Sequence, residues 1–175
     1  MMEYFSLDVH EAYRPPQITK WHGVLDQLTL SEKKRDLIPK YTIFQVNHHM
    51  QTVFTDVIMH PCFMVSKKFM DTIKLYETRL RFERIIISDS ESKKISAYYI
   101  PILEKLDALT KNCRVARDKR TLEYIEIDSK KTKRRSIFKV ENNGKIYILV
   151  HLDLIESVLS REAGRGIALQ EVDTI

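Results

Sequence analysis

The stretch SIFKVENNGKIYILV, residues 136–150, holds two apolar, β-branched runs on either side of an Asn-Gly pair. A two-residue turn between antiparallel strands needs positive φ at both central positions, and Asn143-Gly144 suits that geometry. The stretch therefore predicts a hairpin. The residues that follow, HLDLIESVLSREAGRGIALQEVDTI (151–175), read as a helix that stops and a strand that closes the chain. Leu152, Ile155, Val158 and Leu159 make one apolar stripe at helical spacing. Asp153 falls in the first turn and Arg161 in the last, each on the side the helix dipole favours. Gly164 suits the left-handed residue that ends a helix, and Ile167, Leu169 and Val172 alternate roughly, as in a short strand. A hairpin, a helix packed on it and a closing strand are an α+β arrangement.

Working outward, PCFMV (61–65) reads as a buried extended stretch and Ser66 as the cap of a helix. Phe69, Ile73, Tyr76 and Leu80 follow on one helical face. LRFERIIIS (80–88) and ISAYYIPIL (95–103) read as strands, and the polar loop between them makes an antiparallel pair the simplest arrangement. EYFSLDV (3–9), YTIFQV (41–46) and LEYIEID (122–128) also read as strands. The paired prolines in RPPQITKW (14–21) exclude a helix there. Residues 24–40 leave room for a short helix that stops before Pro39. Residues 47–60 show no clear period, and residues 104–121 suggest a short helix followed by a basic loop. The expectation is one α+β domain over 1–175, with a mainly antiparallel sheet and a few short helices, the last packed on the sheet. A small N-terminal lobe over 1–60, beside a main part over 61–175, stays open.

Of the 175 residues, 43% are apolar and 30% charged, as in an ordinary folded domain. No apolar run approaches the ~18–20 residues of a membrane span, and MMEYFSLDVH lacks the basic start of a secretory signal. Cys62 and Cys113 stand alone, which predicts reduced thiols in a cytoplasm. The net charge is +5, and residues 111–135 hold ten Lys/Arg against four Asp/Glu, a local +6. The rest of the chain is near −1, so the basicity belongs to one segment, mostly KKTKRR at 130–135.

Four glycines, Gly23, Gly144, Gly164 and Gly166, build no phosphate-cradling loop and no nucleophile elbow, and no cofactor is expected. His48, His49 and His60, with Asp56 between them, are the loose candidates for a metal, although neighbouring residues of a strand point apart. Asp128-Ser129-Lys130, with Asp118 or Glu123 as an upstream acid, is the candidate for a metal-dependent nuclease or hydrolase. KKTKRR would neutralise phosphates if it met nucleic acid, but residues 128–136 offer no aromatic on which bases stack. A solvated loop accounts for it as well. Trp21, the only tryptophan, is either a packing residue or an interface anchor.

Several segments recur in a familiar order: PCFMVSKKFMDTIKLYE, YYIPILEKLDAL, SIFKV and ILVHLDLIESVLSREAGRGIALQEV. In that order they resemble a bacterial immunity-protein family of polymorphic toxin systems, formerly a domain of unknown function, over residues 60–173. YRPPQI and TVFTDVI carry the likeness weakly into the first sixty. The resemblance implies an α+β fold, no enzymatic activity, no membrane and a cognate toxin as partner. Its motif positions are core and cap residues, so it supplies no contact residues. Trp21, Tyr98 and Tyr99 are the aromatic candidates for partner contact, and strand alternation lets at most one of the two tyrosines be free. A basic chain also argues against a nuclease as the toxin, since nuclease inhibitors tend to be acidic.

Overall fold

A computed structural model describes residues 3–25 and 43–175. The helix suggested for 24–40 lies, beyond Leu25, outside the described residues. In chain order the strands are β1 (Tyr4–Val9), β2 (Gln17–Ile18), β3 (Ile43–Asn47), β4 (Val57–Ile58), β5 (Met64–Val65), β6 (Phe82–Asp89), β7 (Lys94–Pro101), β8 (Arg114–Val115), β9 (Leu122–Tyr124), β10 (Glu126–Ile127), β11 (Ile137–Asn142), β12 (Lys145–His151) and β13 (Ile167–Thr174). Helix α1 (Lys67–Tyr76) follows β5, and α2 (Leu152–Ser160) follows β12.

The expected hairpin is β11–β12, with Asn143 and Gly144 at φ 46° and 81°. It forms one side of a five-stranded sheet ordered β10-β13-β1-β12-β11. The first strand thus lies in the middle, antiparallel to β12 and β13, which come from the other end of the sequence. Alternation gives the sheet two buried faces. Leu7, Ile148 and Val150 face a core shared with α1, α2, β4 and β5, whereas Tyr4, Phe138 and Leu149 face a second core. An extended arm, residues 104–125, covers that second face with Leu106, Ala108, Leu122 and Ile125. The arm is not the helix suggested for 104–121. Its backbone bonds beside β11 at Lys139 and beside β10 at Glu126, so its polar groups are satisfied in an extended form.

The second sheet is ordered β2-β3-β6-β7-β5-β4. Its centre is the expected antiparallel pair β6–β7, but β3 joins β6 in parallel, as β10 joins β13. Both sheets are therefore mixed rather than purely antiparallel. Of the strands in the first sixty residues, β1 belongs to the first sheet, and β2, β3 and β4 to the second.

Ser66 caps α1 as expected, its hydroxyl accepting the Phe69 N–H at 3.3 Å. The same hydroxyl donates to Asp56 Oδ1, and the Arg165 N–H donates to Asp56 Oδ2 at 2.7 Å. Asp56 thereby ties the start of α1 to the approach to β13. Two details of the C-terminal unit differ from the sequence reading. With His151 as the α2 cap, the inward positions are Leu154, Ile155 and Val158, and Leu159 is exposed. Glu162, not Gly164, takes the left-handed conformation after the helix. Gly164 is required for closeness instead, since a Cβ there would lie 3.0 Å from Ile167 Cδ1.

Gly144 and Gly166 both sit at φ +81°, but only Gly166 is crowded: a Cβ there would lie 2.5 Å from Thr55 Cγ2. Gly144→Ala is expected to cost about 1–2 kcal/mol, the strain of a left-handed L-residue. Gly166→Ala adds the cost of overpacking, about 1–3 kcal/mol more. Equilibrium urea unfolding of the two variants tests this, and equal losses would show that the contact with Thr55 is immaterial.

Candidate interaction surface

Strand alternation sorts the tyrosine pair. In β7, Tyr98 points into the core under the second sheet, is 2% exposed, and donates its hydroxyl to Thr55 O at 2.7 Å. Burial, then the Asp56 charge, pushes that hydroxyl's pKa far above its ordinary value. Tyr98 is thus a core residue and no contact anchor. Tyr99 points the other way and is half-buried against α1's side of the sheet. Trp21 lies on the face opposite to Tyr99, half-buried with Phe54 against the Tyr98 core. Its ring stacks on His22 at 3.9 Å and meets His60 edge-on at 5.1 Å. The three aromatic candidates do not converge: Tyr98 is buried, and Trp21 and Tyr99 are half-buried on opposite faces.

On the Tyr99 side lies the part of the β3–β6–β7 face beyond α1. Register sets Ile43, Ile86 and Ala97 side by side, with Gln45, Ser88 and Ile95 in the next row and Arg84 beside Tyr99. Ile95 is 69% exposed and Ile43 55%, and Arg84 is exposed as well. Behind this face, Phe44, Ile85 and Ile87 are buried in the core under the sheet. The run RIIIS therefore splits: Ile85 and Ile87 hold the sheet, and Ile86 looks outward. Isoleucines are stiff at χ1, so their part of the surface is preorganised, and Arg84 stands across from Tyr99 in the register.

The other candidates are spent on structure. His48 Nδ1 lies 2.8 Å from Asp89 Oδ2, with Glu91 Oε2 3.8 Å from Nε2. His49 Nδ1 accepts the Gln51 N–H, and His60 belongs to the Trp21 stack. Among the described residues no three His, Cys, Asp or Glu side chains converge as metal ligands. Asp128 caps the turn at 129–131, its Oδ1 accepting the Lys130 N–H at 3.0 Å. Asp118 accepts the N–H groups of Arg120 and Thr121, and Glu123 is exposed on the arm. His151 Nδ1 accepts the Asp153 N–H as the α2 cap. Of the nuclease candidates, Asp128 and Asp118 are thus turn-capping groups. Burial pushes the Cys62 thiol up to about 12, which suppresses its thiolate. Cys113 is half-buried, with Sγ 3.3 Å from Glu126 O.

Part of KKTKRR is tied into the structure. Thr132 is fully buried at its centre, Lys133 pairs with Glu104, and Arg135 bridges Glu77 and Glu104 at 3.2 Å. Lys133, then Arg135, holds the Glu104 carboxyl below its ordinary range. Lys130, Lys131 and Arg134 stay exposed without an ion-pair partner among the described residues.

No protein-family model, curated protein or solved structure matches this chain. The likeness to immunity proteins therefore rests on the residues quoted above. No helix among the described residues is long and apolar enough to cross a membrane.

The His48–Asp89 pair escaped the sequence reading because its partners lie 41 residues apart. Its hydrogen bond to Asp89 raises the His48 pKa above 6.5, and its hydrogen bond to His48 lowers that of Asp89 from 3.8 to about 2. The raised His48 contributes stability that is complete below 6.5 and lost as pH rises through its folded pKa. The depressed Asp89 contributes above 3.8 and loses its share as pH falls toward 2. The pair's contribution is thus largest between about 4 and 6.5. Urea midpoints should fall as pH rises through the His48 transition in the native chain and change less in His48→Gln. Parallel profiles would contradict the assignment.

Proposed function

We propose that the protein is a non-catalytic immunity protein that acts in the cytoplasm and neutralises a cognate bacterial toxin by steric blocking. The observation that carries this reading is the exposed β3–β6–β7 face, where Ile43 and Ile86 share a row and Ile95 and Tyr99 lie in the rows on either side of it. Isolated exposed apolar residues need no explanation, but several gathered in neighbouring rows of one sheet face favour a contact surface. The order of segments that resembles the immunity family supports the same reading. A specific interface needs ~800 Å² per partner around a desolvated centre. Here the centre is Ile86, Ile95 and Tyr99, and Arg84 is the cation that selects an acidic group on the toxin. That preference for an acidic partner agrees with a toxin other than a nuclease.

The test is a pull-down from the native host with the tagged chain, compared with Ile95→Asp. The expected result is one stoichiometric partner that carries a toxin domain, whose activity the chain abolishes. Ile95→Asp should fold normally, because the side chain is exposed, yet bind at least about tenfold more weakly. Recovery of nucleic acid, or of no stoichiometric partner at physiological salt, would overturn the proposal and turn attention to residues 111–135.

A further inference from the structure

A cavity of about 410 Å³ opens on the face of the first sheet that the arm covers, beside Thr121 and Leu122. Its floor comes from β1 and β13, where register sets Ser6 against Gln170 and Asp8 against Ala168. Lys145 and Tyr147 of β12 form a wall. The volume lies at the lower end of the range for small-molecule sites.

The floor holds a group that the fold does not use. Ser6 is only 7% exposed, yet its hydroxyl makes no hydrogen bond to any described residue. That hydroxyl opens into the cavity rather than being sealed from it, since Thr174 Oγ1 is the one sealed and unpaired side-chain atom among the described residues, so it can both donate to and accept from an occupant. The charges around it are of both signs. Asp8 has one carboxylate oxygen taken by the Val9 N–H at 2.7 Å, which leaves the other free to accept. Lys145 Nζ lies 3.3 Å from Thr121 Oγ1 and over the Tyr147 ring, with the Asp118 carboxylate near enough to feel its charge, and among the described residues it has no other hydrogen bond, so it retains donors. Gln170 Nε2 donates to Glu123 O at 3.1 Å, which fixes the amide and leaves its oxygen open. His10 Nδ1 accepts the Ala12 N–H, so the neutral ring carries its proton on Nε2 as a further donor.

We propose that this cavity binds a small zwitterion, an α-amino acid or a short peptide. The ligand ammonium pairs with Asp8, its carboxylate pairs with Lys145, and Ser6 and Gln170 take the polar group between them. This goes beyond the protein-binding reading and stands whether or not that reading holds.

The test is titration of the ¹⁵N-labelled chain with alanine, with alanylalanine and with N-acetylalanine amide, which lacks both charges. The expected result is a saturable shift confined to the amides around Ser6, Asp8, Lys145 and Gln170, with the blocked compound at least about tenfold weaker. Tighter binding of alanine identifies a free amino acid, and tighter binding of alanylalanine identifies a peptide. Ser6→Ala and Asp8→Asn should each weaken binding by about tenfold with unchanged unfolding midpoints. No shift up to roughly 10 mM ligand, shifts elsewhere, or equal binding of the blocked compound would overturn the proposal and leave the cavity to solvent.

Discussion

The structure depends on β1 being held between β12 and β13. That single strand carries Tyr4 and Ser6 on one face and Leu7 on the other, so its position fixes both faces of the first sheet. The Tyr4 hydroxyl donates to Arg135 O at 2.8 Å, which pins the end of the basic run to the sheet. Because the partners lie far apart in sequence, closing them orders most of the chain at once, and local contacts cannot substitute. Asp56 then transmits that order to the second sheet, since its carboxylate meets both Ser66 at the α1 cap and the Arg165 N–H before β13.

Given that frame, alternation determines what the surface offers. β6 and β7 bury the middle of one face, as Ile85, Ile87 and Tyr98 show. The intervening residues must then face outward, and α1 covers only the part near Val65 and Tyr99. The exposed isoleucines are thus a consequence of a two-sided strand pair with one face left partly open, and the proposed partner would cover them. The basic segment follows the opposite logic. Its threonine is buried, and Lys133 and Arg135 meet Glu104 and Glu77, so charge density in the sequence becomes an internal tie between the arm and the body.

Local signals were legible and distant pairings were not. Asn143-Gly144, the Ser66 cap and the β6–β7 pair could be read because each rests on residues near one another in the chain. The opposed directions of Tyr98 and Tyr99 followed from strand geometry alone. The parallel pairings β3–β6 and β10–β13 left no mark, because a strand's pattern says which face is buried and not which neighbour it takes. The arm misled for a related reason: Leu106 and Ala108 are buried by the sheet beneath them, without any helical period. The outward role of Ile86 was hidden inside RIIIS, where three isoleucines in a row conceal the alternation, and Ile43 gained meaning only once β3 was set beside β6.

The most direct measurement is methyl NMR of the isoleucine-labelled chain, free and bound to its partner, with cross-saturation from the partner's protons. The account predicts transfer to the methyls of Ile43, Ile86 and Ile95 and none to those of Ile85 and Ile87, two positions that differ from Ile86 by a single step along β6. Transfer confined to isoleucines elsewhere, such as Ile175 beside the basic run, with the β3–β6–β7 face silent, would contradict it.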